Sequence, residues 1–171
     1  MRGLKIFLSG LLAVFAAGCA GYHLGPVKPD VVAGAQSIEV VPFNNQTLQP
    51  RLGDAVTQAL RERLQTDGTY RLATRHPGDV VVTGVITRYD RAGASFLPND
   101  VTTAVNYRIS VSAHVTARDS ATGKLLLDKT VAGDTLVQTG TDLADAERQA
   151  TPLLAEDLAR NIAELLTEGE W

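Results

Sequence analysis

The clearest pattern in the chain is Asn106–Asp119, NYRISVSAHVTARD. Tyr107, Ile109, Val111, Ala113, Val115 and Ala117 alternate with Arg108, Ser110, Ser112, His114, Thr116 and Arg118. A strict period of two predicts a strand with one face on the core and the other in water. Ser120–Gly123 has turn composition, so Lys124–Thr135 is expected to return as its hairpin partner. Asp79–Arg91 is β-branched, alternates in part and reads as another strand. Between them, Ala92–Asp100 reads as a loop that carries an unusual apolar pair, Phe96-Leu97. Ser37–Phe43 and Thr69–Thr74 read as short strands and Asn44–Pro50 as a loop.

Two stretches switch to helical spacing. Leu52, Ala55, Val56, Ala59, Leu60 and Leu64 form one apolar stripe, with Pro50 suited to the first turn and Gly68 to the C-cap. Leu143, Ala146, Ala150, Leu153, Leu154, Leu158, Ile162, Leu165 and Leu166 form a second stripe, within Thr141–Glu168. Pro152 lies inside it and predicts a kink or restart near Thr151, with Thr151 as the cap. The order of elements predicts an α+β fold. It is a two-layer sandwich, with two amphipathic helices packed on one face of a mixed four- or five-stranded sheet. The other face, led by Arg108 to Arg118, is left for water or a polar partner.

The N-terminus follows a different logic. Arg2 and Lys5 precede an apolar run from Ile6 to Ala17, and Ala16, Ala17 and Gly18 are small. Charged, apolar and small regions in that order make a secretory signal peptide over residues 1–18. The run is shorter than the roughly 20 residues that a membrane-crossing helix needs. Cys19 is the only cysteine, and its setting resembles a bacterial lipobox. That resemblance implies cleavage before Cys19, diacylglyceryl on its sulfur and acyl on its amine. Several chains suit a stable anchor, because one acyl chain holds only reversibly. Residues 19–36 then read as the lipidated cysteine and a Gly/Pro-containing tether, and 37–171 as a single domain.

All 19 acidic residues lie beyond the signal, whereas two of the 16 basic ones lie inside it, so cleavage moves the charge from −3 to −5. That balance argues against nucleic-acid binding. Gly-x-Ser-x-Gly, a phosphate-cradling glycine loop and His-Glu-x-x-His are all missing. His23, His76 and His114 are far apart and read as solvated histidines. The chain is therefore expected to be no enzyme, with no metal site and no cofactor apart from the lipid on Cys19.

Five stretches carry a family resemblance: GCAGYHL after the cleavage point, VVPFNNQTLQPRLGDAVTQALRERLQTDGTYRL, VVVTGVITRYDR, YRISVSAHVTARDSATGKLLLD, and DAERQATPLLAEDLARNIAELLTEGEW. In this order they resemble the LptE family of lipopolysaccharide-assembly lipoproteins. The resemblance implies a plug or assembly subunit inside a large outer-membrane β-barrel, LptD, that helps deliver lipopolysaccharide to the outer leaflet. It also implies lipopolysaccharide as a ligand and a lipid-anchored place on the periplasmic side and in the barrel lumen. Ala20 stands after Cys19 where an Asp would retain the protein, which by resemblance to sorting patterns permits outer-membrane delivery. The alternative reading is a generic outer-membrane or periplasmic lipoprotein that binds another envelope component.

Lipopolysaccharide carries phosphates, which arginine grips with a planar fork of donors. Arg88 and Arg91 end one predicted strand and Arg108 begins the next, with Lys129 on the return strand. If residues 92–106 close a hairpin, the three arginines are expected to cluster as the lipopolysaccharide-binding patch, with Lys129 nearby. Phe96-Leu97 is expected either to tuck back on the core or to touch the barrel or the acyl chains.

Overall fold

A computed structural model describes residues 34–97, 100–138 and 143–168, with side chains placed at all of these except 96, 97, 100–105 and 143. The signal, Cys19, His23 and the tether up to residue 33 lie outside the described residues, as do the Phe96-Leu97 side chains.

Six strands form one mixed sheet. They are β1 (Ser37–Val40), β2 (Asn44–Asn45), β3 (Arg71–Leu72), β4 (Val80–Leu97), β5 (Asp100–Asp119) and β6 (Leu125–Gln138). Their spatial order is β3-β1-β4-β5-β6, with β2 paired to β4 above β1. The first three strands run parallel to their neighbours, whereas β4, β5 and β6 form an antiparallel meander. Two helices, α1 (Leu52–Asp67) and α2 (Leu143–Glu168), cover one face. This is the expected two-layer α+β architecture, with two of the six strands only two residues long.

The core follows from alternation. Ile109, Val111, Ala113, Val115 and Ala117 of β5 are fully buried, as are Val82 and Ile86 of β4. Against them lie Leu154, Leu158 and Ile162 of α2, with Leu52, Val56 and Leu60 of α1. Burial of each such aliphatic side chain contributes about 1.5–3 kcal/mol. The helix comes closest at Gly133, where an added Cβ would stand 2.6 Å from the backbone N of Leu158. Two side chains of α2 also seal the outer edge of β6. The Asp134 amide donates to Asp157 at 2.9 Å, and Asn161 donates to the Ala132 carbonyl at 2.8 Å. These contacts occupy backbone groups near the middle of an edge that would otherwise offer a template for another strand.

Several local expectations change. Ala92–Asp100 is strand rather than loop as far as Leu97, because Ala92 and Gly93 pair with Arg108 and Tyr107, and Asp100 already begins β5. The cross-strand ladder overrides their turn-like composition. Asn44–Asn45, read as loop, forms β2. Thr69–Thr74 shrinks to Arg71–Leu72, and Ser37–Phe43 ends as a strand at Val40. Pro50 stands outside α1, since Arg51 adopts a left-handed conformation with φ of 61° before the helix starts. The turn network of Asn45, Thr47 and Gln49 brings the chain back at that angle. Gly68 is the C-cap as expected, at φ of 76°, with its amide on the Leu64 carbonyl. The restart at Pro152 does not occur, because α2 is one uninterrupted helix. Thr151 caps nothing, and its hydroxyl donates to the Glu147 carbonyl at 3.1 Å. Pro152 is exposed, and the buried stripe from Ala150 to Leu166 outweighs the one lost backbone bond.

Candidate functional site

The face of the sheet opposite the helices has no covering layer among the described residues over β4, β5 and β6. The even positions of β5 build it: Arg108, Ser110, Ser112, His114, Thr116 and Arg118 are exposed or half-buried. Neighbouring strands add Thr83, Arg88 and Asp90 on one side and Asp128, Thr130 and Asp134 on the other, by direct pairing with these residues.

Two arginines of this face are paired with acids within it. Arg88 pairs with Asp90 at 3.7 Å, Arg108 with Asp134, and His114 approaches Asp128 at 3.1 Å. The Thr83 and Thr116 hydroxyls share a hydrogen bond of 2.7 Å across the strands. The result is a hydroxyl-rich layer in which Arg88 and Arg108 are paired with acids, with Leu136 as an exposed apolar side chain beside Arg108.

The four cations expected to bind lipopolysaccharide divide between the two faces. Arg88 lies opposite Ser112 and Arg108 opposite Ala92 and Leu136, so both are on the open face, about 13 Å apart along the strands. Arg91 lies opposite Ile109 and Lys129 opposite Val115, which puts both on the helix side. Arg91 binds Glu147 of α2, and its guanidinium lies 5.9 Å from the centre of the Tyr107 ring. The Glu147 carboxylate holds the Arg91 pKa above its ordinary value through that hydrogen bond and its charge. The hairpin therefore forms, but it does not gather the three arginines.

Arg88 and Arg91 are three residues apart on one strand, so they fall on opposite faces, and a bulge decides which face each takes. The register shifts between Ile86 and Arg88, leaving Thr87 as the extra residue. Unbroken alternation from the buried Ile86 would have sent Arg88 to the helices and Arg91 to the open face. The insertion exchanges them. The acids that neutralise the cations were missed for a related reason. Asp90 is visible in sequence two places from Arg88, but Asp134 and Glu147 meet Arg108 and Arg91 only through tertiary register.

At the lower end of the sheet, Asp79 fastens the start of β1. Its carboxylate accepts from the amides of Gln36 and Ser37 and from the Ser37 hydroxyl, each at 2.9 Å. These bonds, the Gln36 amide foremost, hold its pKa below the ordinary carboxylate range. Among the described residues no group of three metal-capable side chains comes together, and no helix is long and apolar enough to cross a membrane.

Comparison with known proteins places this geometry. The sequence pattern of the LptE lipopolysaccharide-assembly family matches residues 35–166, and the chain belongs to that family. No curated protein is close enough in sequence to count as a relative. Solved structures share the fold at low identity. A hypothetical protein of Chlamydia trachomatis superposes with a TM-score of 0.56 at 12% identity, covering 80% of this chain and 99% of that one. Lipoprotein B of Nitrosomonas europaea gives 0.55 at 9%, covering 87% and 94%. A protein of Xanthomonas campestris gives 0.53 at 14%, covering 83% and 88%.

Proposed function

We propose that this protein is an outer-membrane lipoprotein that sits as a plug and assembly subunit in the lumen of a large LptD-like β-barrel, helping deliver lipopolysaccharide to the outer leaflet. The observation that carries the reading is the open sheet face. The lumen of a wide outer-membrane barrel is polar and watery. A layer of hydroxyls and paired arginines, with Leu136 as an exposed aliphatic side chain, sits there without a large desolvation penalty. Membership of the lipopolysaccharide-assembly family agrees with it. The lipobox-like setting of Cys19 supplies the anchor, and a structural neighbour is itself described as a lipoprotein.

On this reading Arg88 and Arg108 are the two cations of the original set that face the lumen. Each reaches a phosphate only by exchanging its carboxylate, Asp90 or Asp134, for the ligand. Arg91 serves the Glu147 contact instead.

The test is a gentle-detergent pull-down from native outer membranes through a C-terminal tag. Recovery of one large β-barrel in equal amount is expected. Recovery of the lipoprotein alone, or with a different envelope machine, overturns the plug reading in favour of a general envelope-binding lipoprotein.

A further inference from the structure

Arg88 and Arg108 of the open face have acid partners, so cations that lack one are the better guide to an anion. Among the described residues several cations form no ion pair, Arg61, Arg71 and Arg75 among them. These three are brought together at the β3–β1 edge. The loop 73–77 leaves β3 and crosses to β4, and a groove runs along each side of it. One groove, about 420 Å³, is lined by Glu39, Arg61, Arg75 and His76. The other, about 250 Å³, is lined by Ser37, Arg71, Arg75 and His76. Arg75 and His76 belong to both, so the two form one surface.

The nearby acids are turned to the backbone. Glu39 accepts from the Gly78 amide at 3.3 Å, and Asp79, which senses the charge of Arg71, is occupied by Gln36 and Ser37. Arg61 gives one donor to the Val40 carbonyl at 2.7 Å and keeps the rest of its fork. Arg71 and Arg75 are exposed, and both nearby carboxylates have backbone donors. This groove also lies near Cys19 in sequence. Ser37 forms its wall and is the first residue of β1, eighteen positions after Cys19 in the sequence.

We propose that this groove docks the domain onto phosphate headgroups of anionic phospholipids in the leaflet that holds the Cys19 anchor. The inference rests on the lipid-anchor reading above. Guanidinium groups bind phosphate oxygens in pairs. Basic residues near an anionic surface each strengthen association, and the effect decays within a Debye length. Lipid chains then give attachment, and the groove gives orientation, so that the hairpin end of the sheet points away from the headgroups.

The experiment uses the protein purified from its native membrane and placed in nanodiscs. The nanodiscs are phosphatidylcholine alone, phosphatidylcholine with phosphatidylglycerol, or phosphatidylcholine with lipopolysaccharide. Hydrogen exchange of peptides covering residues 71–78 is the readout. Slowed exchange is expected with phosphatidylglycerol and not with phosphatidylcholine alone, and added salt is expected to remove it. Arg71→Gln and Arg75→Gln are each expected to lower the docked-to-free ratio about fivefold. Arg63→Gln, on the outer side of α1, should leave it unchanged. Protection that appears only with lipopolysaccharide, or equally in every disc, overturns the proposal, as does insensitivity to both arginine changes. Mass spectrometry of the N-terminal peptide tests the anchor separately. An unmodified Cys19 with a protected groove overturns the anchor alone, whereas a lipidated Cys19 without protection overturns the groove.

Discussion

Each residue of β5 from Tyr107 to Arg118 belongs to one of two faces, and the two are held by different physics. Ile109, Val111, Ala113 and Val115 are at 0% exposure, locked between neighbouring strands and two helices. One residue away, Arg108, Ser110, Ser112 and His114 meet water, and Arg108 and His114 stand against Asp134 and Asp128 of the adjacent strand. Stability resides on the first face, because close-packed apolar contacts lose both transfer energy and packing when truncated. The second face is free to change its chemistry, because exposed ion pairs contribute little to folding. A protein built this way can carry a recognition surface on the same strand that holds its core.

The strongest way to break this contrast is Leu158→Ala. Leu158 is fully buried and lies against Gly133, so the change should cost about 3 kcal/mol, read as a lowered urea midpoint with an unchanged slope. A loss below 1 kcal/mol would show that α2 is not what holds the covered face. Gly133→Ala sharpens the point from the other side. Its new methyl meets helix backbone rather than a flexible side-chain tip, so about 2 kcal/mol of destabilisation is expected, by the same measurement. A neutral result there would mean that the helix can lift off the edge strand freely. The smallest effect belongs to Arg108→Gln. Its pair with Asp134 is half exposed, and stability should move by less than about 1 kcal/mol. On the proposed function, lipopolysaccharide binding should weaken at the same time. Unchanged binding in a titration would remove Arg108 from the ligand surface.

Much of this division was legible in the residues. The alternation of β5 named its two faces correctly, and the α1 and α2 stripes named most of the residues that now cover one of them, although Leu153 of the α2 stripe is exposed. Gly68 marked the end of α1. Where the reading failed, the cause was pairing rather than propensity. Ala92 and Gly93 have no strong strand preference, yet Arg108 and Tyr107 stand opposite and draw them into the ladder. Pro152 is a sound breaker in isolation, but its ring lies in solvent on a helix held by its other side. The candidate patch suffered most. Arg88 and Arg91 are three residues apart, and one extra residue between Ile86 and Arg88 decides which of them faces α2.

The sequence by itself determined the two-layer α+β class, the strand whose alternation divides core from water, the apolar stripes of both helices, and an N-terminal pattern that ends at Cys19. Each of these is written in local periodicity, which depends only on the spacing of side chains along one element. Tertiary structure alone decided the bulge at Thr87 and the acid that each arginine meets, along with the seal of Asp157 and Asn161 on β6 and the arginine groove beside Ser37. Those features join residues far apart in the chain, and register between elements sets them. A shift of one residue in that register turns every following side chain to the opposite face.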